Sequence, residues 1–161
     1  MWVPGQSMNI ELTTNELRVN EREAFWRHVM SDTFAPVAIR EMAEGDVAGS
    51  IRGRWVGRLL VTDVQSTGQD VRRTPRLISE ADNAYFQVAV VASGTGRISQ
   101  DGRQAVLRPG DCVLYETTGR SNGCSTATGT CGFSRCPANR YGSAIANDGS
   151  SALAGWTAPT V

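Results

Sequence analysis

Apolar and polar positions along this chain follow two different periods, and its last quarter follows neither. Between Asn20 and Asp32 the large apolar residues fall four apart, Phe25 with Val29 and Trp26 with Met30. That spacing predicts a helix with one apolar stripe, flanked by Arg22, Glu23 and Arg27. Asn20 stands where an N-cap belongs, and Glu23, three residues on, completes a candidate capping box. After Phe34-Ala35-Pro36 the period shortens to that of a strand. Extended segments are expected at Val37–Arg40, Ile51–Val56, Arg58–Ser66, Asp70–Arg73, Tyr85–Ala92, Arg97–Gln100, Gln104–Leu107 and Cys112–Glu116. Leu77–Asn83 reads as a turn or a single helical turn. Tyr85–Ala92 is the most apolar of the strands and is expected to be central. Asp101-Gly102 is a strong hairpin signal, since both residues tolerate the positive φ of a type I′ turn. Pro109-Gly110-Asp111 marks a second tight turn.

One helix followed by about eight short, closely spaced strands points to a mainly β fold. We expect an antiparallel jelly-roll barrel preceded by an N-terminal helix. The 161 residues suit one domain, and no apolar run is long enough to cross a membrane as a helix. Residues 1–14 are expected to form a flexible arm with no secretory signature, so a cytoplasmic location is the default. The 16 basic and 16 acidic residues balance, which argues against a nucleic-acid surface spread over the chain. Every basic residue other than His28 is Arg, which we read as the bias of a GC-rich coding sequence.

Composition changes sharply near Thr117–Gly119. Residues 1–117 hold 28 of the 32 Asp, Glu and Arg residues, whereas Gly, Ala, Ser and Thr supply 26 of the 44 residues in 118–161. That tail can bury little apolar surface against its ordering entropy, so it is expected to be low-complexity and disordered, leaving the barrel incomplete at its C-terminal end.

Three segments carry a resemblance. The run from Gly94 to Tyr115, with Asp101-Gly102 and Leu107-Arg108-Pro109-Gly110-Asp111 inside it, is similar to a cupin hairpin. Together with Glu21-Arg22-Glu23-Ala24-Phe25-Trp26-Arg27, and with Arg72-Arg73-Thr74-Pro75-Arg76-Leu77-Ile78 followed by Tyr85, it resembles the N-terminal sensing and dimerisation domain of AraC/XylS-type transcription regulators. The resemblance covers about residues 15–117. It implies a barrel that binds a small-molecule effector or forms a dimer, with itself or with an intact relative. In that family a linker and two helix-turn-helix units normally follow. Here neither they nor the family's late strands are recognisable after Tyr115, so the tail reads as a frameshift product or a divergent end, and no direct DNA binding is expected.

Candidate chemistry is sparse. Metal-dependent cupins need several His and a carboxylate on facing strands. This chain has one His, His28, and it falls on the predicted helix. No metal, no cofactor and no catalytic residues are therefore expected. Cys124, Cys131 and Cys136 lack the paired spacing of a zinc site and read as incidental thiols, and Cys112 reads as a small, buried, inward-facing residue. The ligand candidates are Arg72, Arg73 and Arg76, which bracket Thr74-Pro75, and Tyr85 and Tyr115, which could line a pocket. The arginines could instead be a solvated turn paired with Glu80 or Asp82, and the tyrosines could be core. Phe25 and Trp26 are expected in the core. The leading function is a non-enzymatic sensing module; the alternatives are a stand-alone cupin-like enzyme, an isomerase or dioxygenase, or a truncated product without a function of its own.

Overall fold

In a computed structural model of the chain, residues 9–81 and 85–117 are described in full, together with the backbone of 121–126, 129–137 and 154–156. The order of elements is β1 (Asn9–Thr13), α1 (Val19–Thr33), β2 (Ala38–Met42), β3 (Gly49–Val56), β4 (Leu59–Ser66), β5 (Gln69–Arg72), α2 (Pro75–Ser79), β6 (Tyr85–Ser93), β7 (Gly96–Gln100), β8 (Arg103–Leu107), β9 (Cys112–Glu116), β10 (Ser121–Thr126), β11 (Gly129–Pro137) and β12 (Ala154–Trp156). The strands form a seven-stranded sheet in the order β1-β3-β4-β11-β6-β9-β12 and a five-stranded sheet in the order β2-β5-β10-β7-β8. Every pairing is antiparallel. This is the mainly β roll that the alternation predicts, except that a strand, β1, precedes the helix.

The strands expected from periodicity all form, within a residue or two. The Asp101-Gly102 hairpin closes with φ of 49° and 78°, and β7 pairs with β8 across it. Gly110 takes φ 93°, and the Asp111 carboxylate accepts the Arg108 N–H at 2.8 Å. That turn is sewn onto β6, because Gly110 N–H reaches Val91 O at 2.8 Å and Val91 N–H reaches Asp111 O at 3.0 Å.

Three local expectations are corrected. The helix begins at Val19, its N-cap position is Arg18, and no side chain caps it. The capping box fails because Asn20 is already helical and Glu23 is engaged with Arg27, one turn on, at 2.7 Å. The short helical turn starts earlier than read: Pro75 opens it, and the Thr74 hydroxyl caps it by accepting the Leu77 N–H. Cys112 is half-buried and stands beside Val90 on the outward row of the sheet; the buried, inward residue is Val113. The Asp111 turn sets that alternation, and it runs one residue out of step with the sequence reading.

The two ends of the chain bear on the architecture. Within the segment expected as an arm, Asn9–Thr13 pairs with β3 as β1, and Thr14 behind it is fully buried. The composition boundary near Thr117 does not coincide with the edge of the sheets. Strand β10 lies between β5 and β7, and β11 lies between β4 and β6. The remaining tail residues, and the side chains of Cys124, Cys131 and Cys136, lie outside the described residues.

Two apolar clusters hold the roll. One packs Trp26, Val29, Met30 and Phe34 of α1 and the residue after it onto Ile39, Val47, Ile51 and Val64. Trp26 is fully buried, as expected of the helix stripe, while Phe25 is only half-buried at the edge of this cluster. The other cluster joins Ala89, Val91, Ile98, Leu107 and Val113 inside the roll. Strand β6 shows why its run looked uniformly apolar. Gln87, Ala89 and Val91 are buried, whereas Val88 and Val90 face outward.

Candidate functional site

Period-two alternation sorts the inward positions of the seven-stranded sheet into rows. In register, Ile51 stands opposite Val64; Gly53 opposite Thr62; and Trp55 opposite Leu60. Across β6 and β9, Ala89 stands opposite Val113 and Gln87 opposite Tyr115. Strand β11 bridges the two halves, so that Thr62 and Ala89 belong to one row and Leu60 and Gln87 to the next. The interior therefore changes character along its axis. Beside the β11 positions Cys131, Phe133 and Arg135, the first level carries Ile51, Val64 and Val91, the next Gly53, Thr62, Ala89 and Val113, and the last Trp55, Leu60, Gln87 and Tyr115.

The five residues picked from the sequence divide. Arg73 is buried, at 6% exposure. Its Nε donates to Thr117 O at 2.7 Å and its Nη1 donates to Pro36 O at 2.8 Å. Burial lowers its pKa from the ordinary arginine value, and the two carbonyls offset part of that desolvation. Arg73 thus ties the end of β5 to the end of β9 and to the α1–β2 link. Thr117 joins Tyr85 to the same network: its hydroxyl accepts the Tyr85 N–H at 2.8 Å, and its own N–H donates to Tyr85 O at 2.8 Å. Tyr115, two residues before Thr117, is half-buried and packs against the interior cluster.

Arg72 and Arg76 do not join them. Arg72 pairs with Asp70 at 3.1 Å. Arg76 projects into solvent and pairs with Glu80 at 2.8 Å, and the hydrogen bond from that carboxylate raises its pKa. This is the solvated pairing weighed for Glu80; the other candidate partner, Asp82, lies outside the described residues. The structure thus places Arg73, Tyr85 and Tyr115 around one end of the roll and turns Arg72 and Arg76 away from it.

Sequence reasoning passed over the buried polar side chains. Gln100 Nε2 donates to Glu116 O at 2.7 Å, crossing from one sheet to the other. Gln69 Oε1 accepts the indole N–H of Trp26 at 2.9 Å. Gln87 is 4% exposed, and its Nε2 has no hydrogen-bond partner. The signal was available: each glutamine falls on the apolar phase of its strand, where a polar residue is out of place.

An open cleft of about 590 Å³ lies across the five-stranded sheet, lined among others by Glu41, Asp70, Thr95, Arg97 and Val106. None of the five picked residues borders it. His28 is 72% exposed on α1, against Asp32 at 3.2 Å. Among the described residues no group of three or more His, Cys, Asp or Glu is placed to hold a metal ion, and no helix is long and apolar enough to cross a membrane.

Comparison with known proteins agrees with this geometry. A protein from Bacillus sp. (strain OxB-1), described only as an uncharacterized protein in the nit 5′ region, is 29% identical over 111 residues, which are 69% of this chain and 43% of that protein. The crystal structure of the AraC-like transcriptional activator CuxR superposes with a TM-score of 0.71 at 15% identity, covering 81% of this chain and 48% of that one. An RmlC-like cupin from Shewanella frigidimarina NCIMB 400 gives a TM-score of 0.42 at 19% identity, over 65% of this chain and 86% of that one. The chain spans less than half the length of the first two proteins. The family model for the AraC-binding-like domain matches residues 26–130, from Trp26 in α1 to the second residue of β11, and so the chain belongs to the AraC-binding-like domain family.

Proposed function

We propose that the chain is a sensing module that binds a small-molecule effector within its roll and performs no chemistry on it. The observation that carries this reading is that the enclosed Gln87 amide shares one row of the roll with two half-buried aromatics, Trp55 and Tyr115. Small-molecule sites are mostly apolar with a few fixed polar groups, and these three side chains supply both. The reading further takes effector binding to bias a two-state arrangement, such as a dimer contact with a second copy or an intact relative. The resemblance to AraC-type regulators supports it, as does the position of His28 outside the roll.

A thermal-shift screen of the 161-residue chain against small organic metabolites tests the reading. The expected result is stabilisation by one chemical class, with the ligand recovered unchanged. Turnover of the stabilising ligand, or stoichiometric iron, manganese or zinc in the purified protein, would favour the enzyme reading instead.

A further inference from the structure

The roll contains three glutamines that are more than nine-tenths buried, Gln69, Gln87 and Gln100. Two spend their amides within the fold. Gln69 Oε1 accepts from the Trp26 indole while its Nε2 donates to the Ser66 hydroxyl at 3.3 Å, and Gln100 Nε2 donates to Glu116 O. Gln87 does not: its Nε2 is enclosed without an acceptor. The other enclosed side-chain atom without a partner, Thr67 Oγ1, sits in the half-buried β4–β5 turn, where a hydroxyl can rotate. An amide can only exchange its two ends, and the two donors on its nitrogen then still need acceptors. A buried donor left unmet is costly, and such groups in folded proteins mark a missing partner or a functional use.

The surroundings say what would meet it. Gln87 stands directly opposite Tyr115 on β9 and the Arg135 position on β11, and through the latter its row continues to Leu60 and Trp55. The row below it carries Gly53, Thr62, Ala89 and Val113, with the Phe133 position of β11 in register between Thr62 and Ala89. We infer that the Gln87 amide is the donor that selects the effector, and that the effector carries an acceptor oxygen. This rests on the reading of the roll as a ligand-sensing domain and names the group that confers its specificity. A carbonyl and a carboxylate would both present the required oxygen; Gln87, being neutral, takes either.

Nitrogen-edited NMR of the full 161-residue chain reads the side-chain amide of Gln87 directly. Three probes of similar shape separate the contributions: acetophenone, a neutral carbonyl; benzoate, a carboxylate; and ethylbenzene, which has no acceptor. At least one oxygen-bearing probe is expected to shift the Gln87 amide signals, and Gln87→Met to weaken that probe about tenfold, to the level of ethylbenzene. Ethylbenzene itself is expected to bind both proteins alike, and the melting temperature of Gln87→Met is expected not to fall. Gln87→Leu, which removes the amide altogether, serves if the methionine variant fails to fold. Equal binding of the oxygen-bearing probes to wild type and variant overturns the role of Gln87 while leaving the roll a binding site. If none of the three probes perturbs the Trp55–Leu60–Gln87–Tyr115 row at millimolar concentration, both the role and the ligand-sensing reading fall.

Discussion

The indole of Trp26 lies against the bare Cα of Gly49, so closely that a Cβ built there would stand 2.5 Å from two ring carbons. Gly49 is held in that place by Thr14. The two residues exchange backbone and hydroxyl hydrogen bonds, with Gly49 N–H to Thr14 Oγ1 at 2.9 Å and Thr14 N–H to Gly49 O at 2.9 Å. On its other edge the indole N–H is fixed by Gln69. One buried ring therefore connects α1, the start of β3 and the start of β5.

Gly49→Ala is expected to destabilise by about 1–3 kcal/mol, since neither the ring nor the strand can yield. Trp26→Phe keeps most of the apolar surface but strands the Gln69 acceptor, at an expected cost of about 1–3 kcal/mol. Urea unfolding followed by far-ultraviolet circular dichroism measures both. The Gly49→Ala loss should shrink in the Gly49→Ala/Trp26→Phe double variant, because the two residues share one contact.

Arg73 bridges two carbonyls from distant parts of the chain, and Arg76, three residues on, bridges none. Arg73→Met is expected to cost about 2–4 kcal/mol, because Thr117 O and Pro36 O lose a charged donor. Arg73→Lys should recover little, since a single ammonium cannot span both. Arg76→Met should leave stability close to that of wild type, as for other exposed ion pairs. The sign of the pH effect follows from burial. The folded pKa of Arg73 is lowered, so the unfolded chain holds that proton more firmly. Its contribution is therefore constant across the neutral range, and stability changes through this group, upward, only in strongly alkaline solution.

The β7–β8 hairpin gives a sharper test of backbone conformation. A Cβ on Gly102 would meet nothing within 4 Å, so any penalty there comes from its φ of 78° alone. Gly102→Ala is expected to cost about 1 kcal/mol, and Asp101→Gly, at φ 49°, to be nearly neutral. Asp111→Ala removes the carboxylate that accepts the Arg108 N–H and should cost about 0.5–1.5 kcal/mol. Thermal melts of the three single variants distinguish these values.

Truncation after Thr117 tests the place of the late strands. It removes β11 from between β4 and β6, and β10 from between β5 and β7. The fragment is expected to be unfolded or aggregated, because β4, β5, β6, β7 and β9 each lose a partner at once. A monodisperse fragment with a cooperative melt would show that residues 9–117 close without them.

The sequence announced its structure where one residue type carries one physical demand. Asp101-Gly102 and Pro109-Gly110-Asp111 need positive φ or a fixed turn, and both turns form as read. The Trp26–Met30 stripe shows through its helical period. Strands β10 and β11 stayed hidden because their Gly, Ser, Thr and Cys residues have no amphipathic alternation; their register comes from the neighbours on either side. The candidate site was half legible. The Arg72-Arg73-Thr74-Pro75-Arg76 motif drew attention to a charge cluster, yet only Arg73 is buried, a distinction of strand phase that a count of charges does not register. Gln87 was missed because an amide has no charge to flag it, and only the parity of β6 turns it inward.

The order in which the strands are laid down bears on how the protein is made. During synthesis, everything through β9 leaves the ribosome with a slot open in each sheet, and the segments that fill those slots, β10 and β11, follow it. Neither sheet can zip up progressively from the N-terminus. Closure waits for pairings such as Thr130 with Gln65 and Cys124 with Val71, which link residues more than fifty positions apart. Folding dominated by such distant pairings is slow and leaves unsatisfied strand edges exposed in the interim, so the nascent chain passes through a stage open to edge-to-edge pairing.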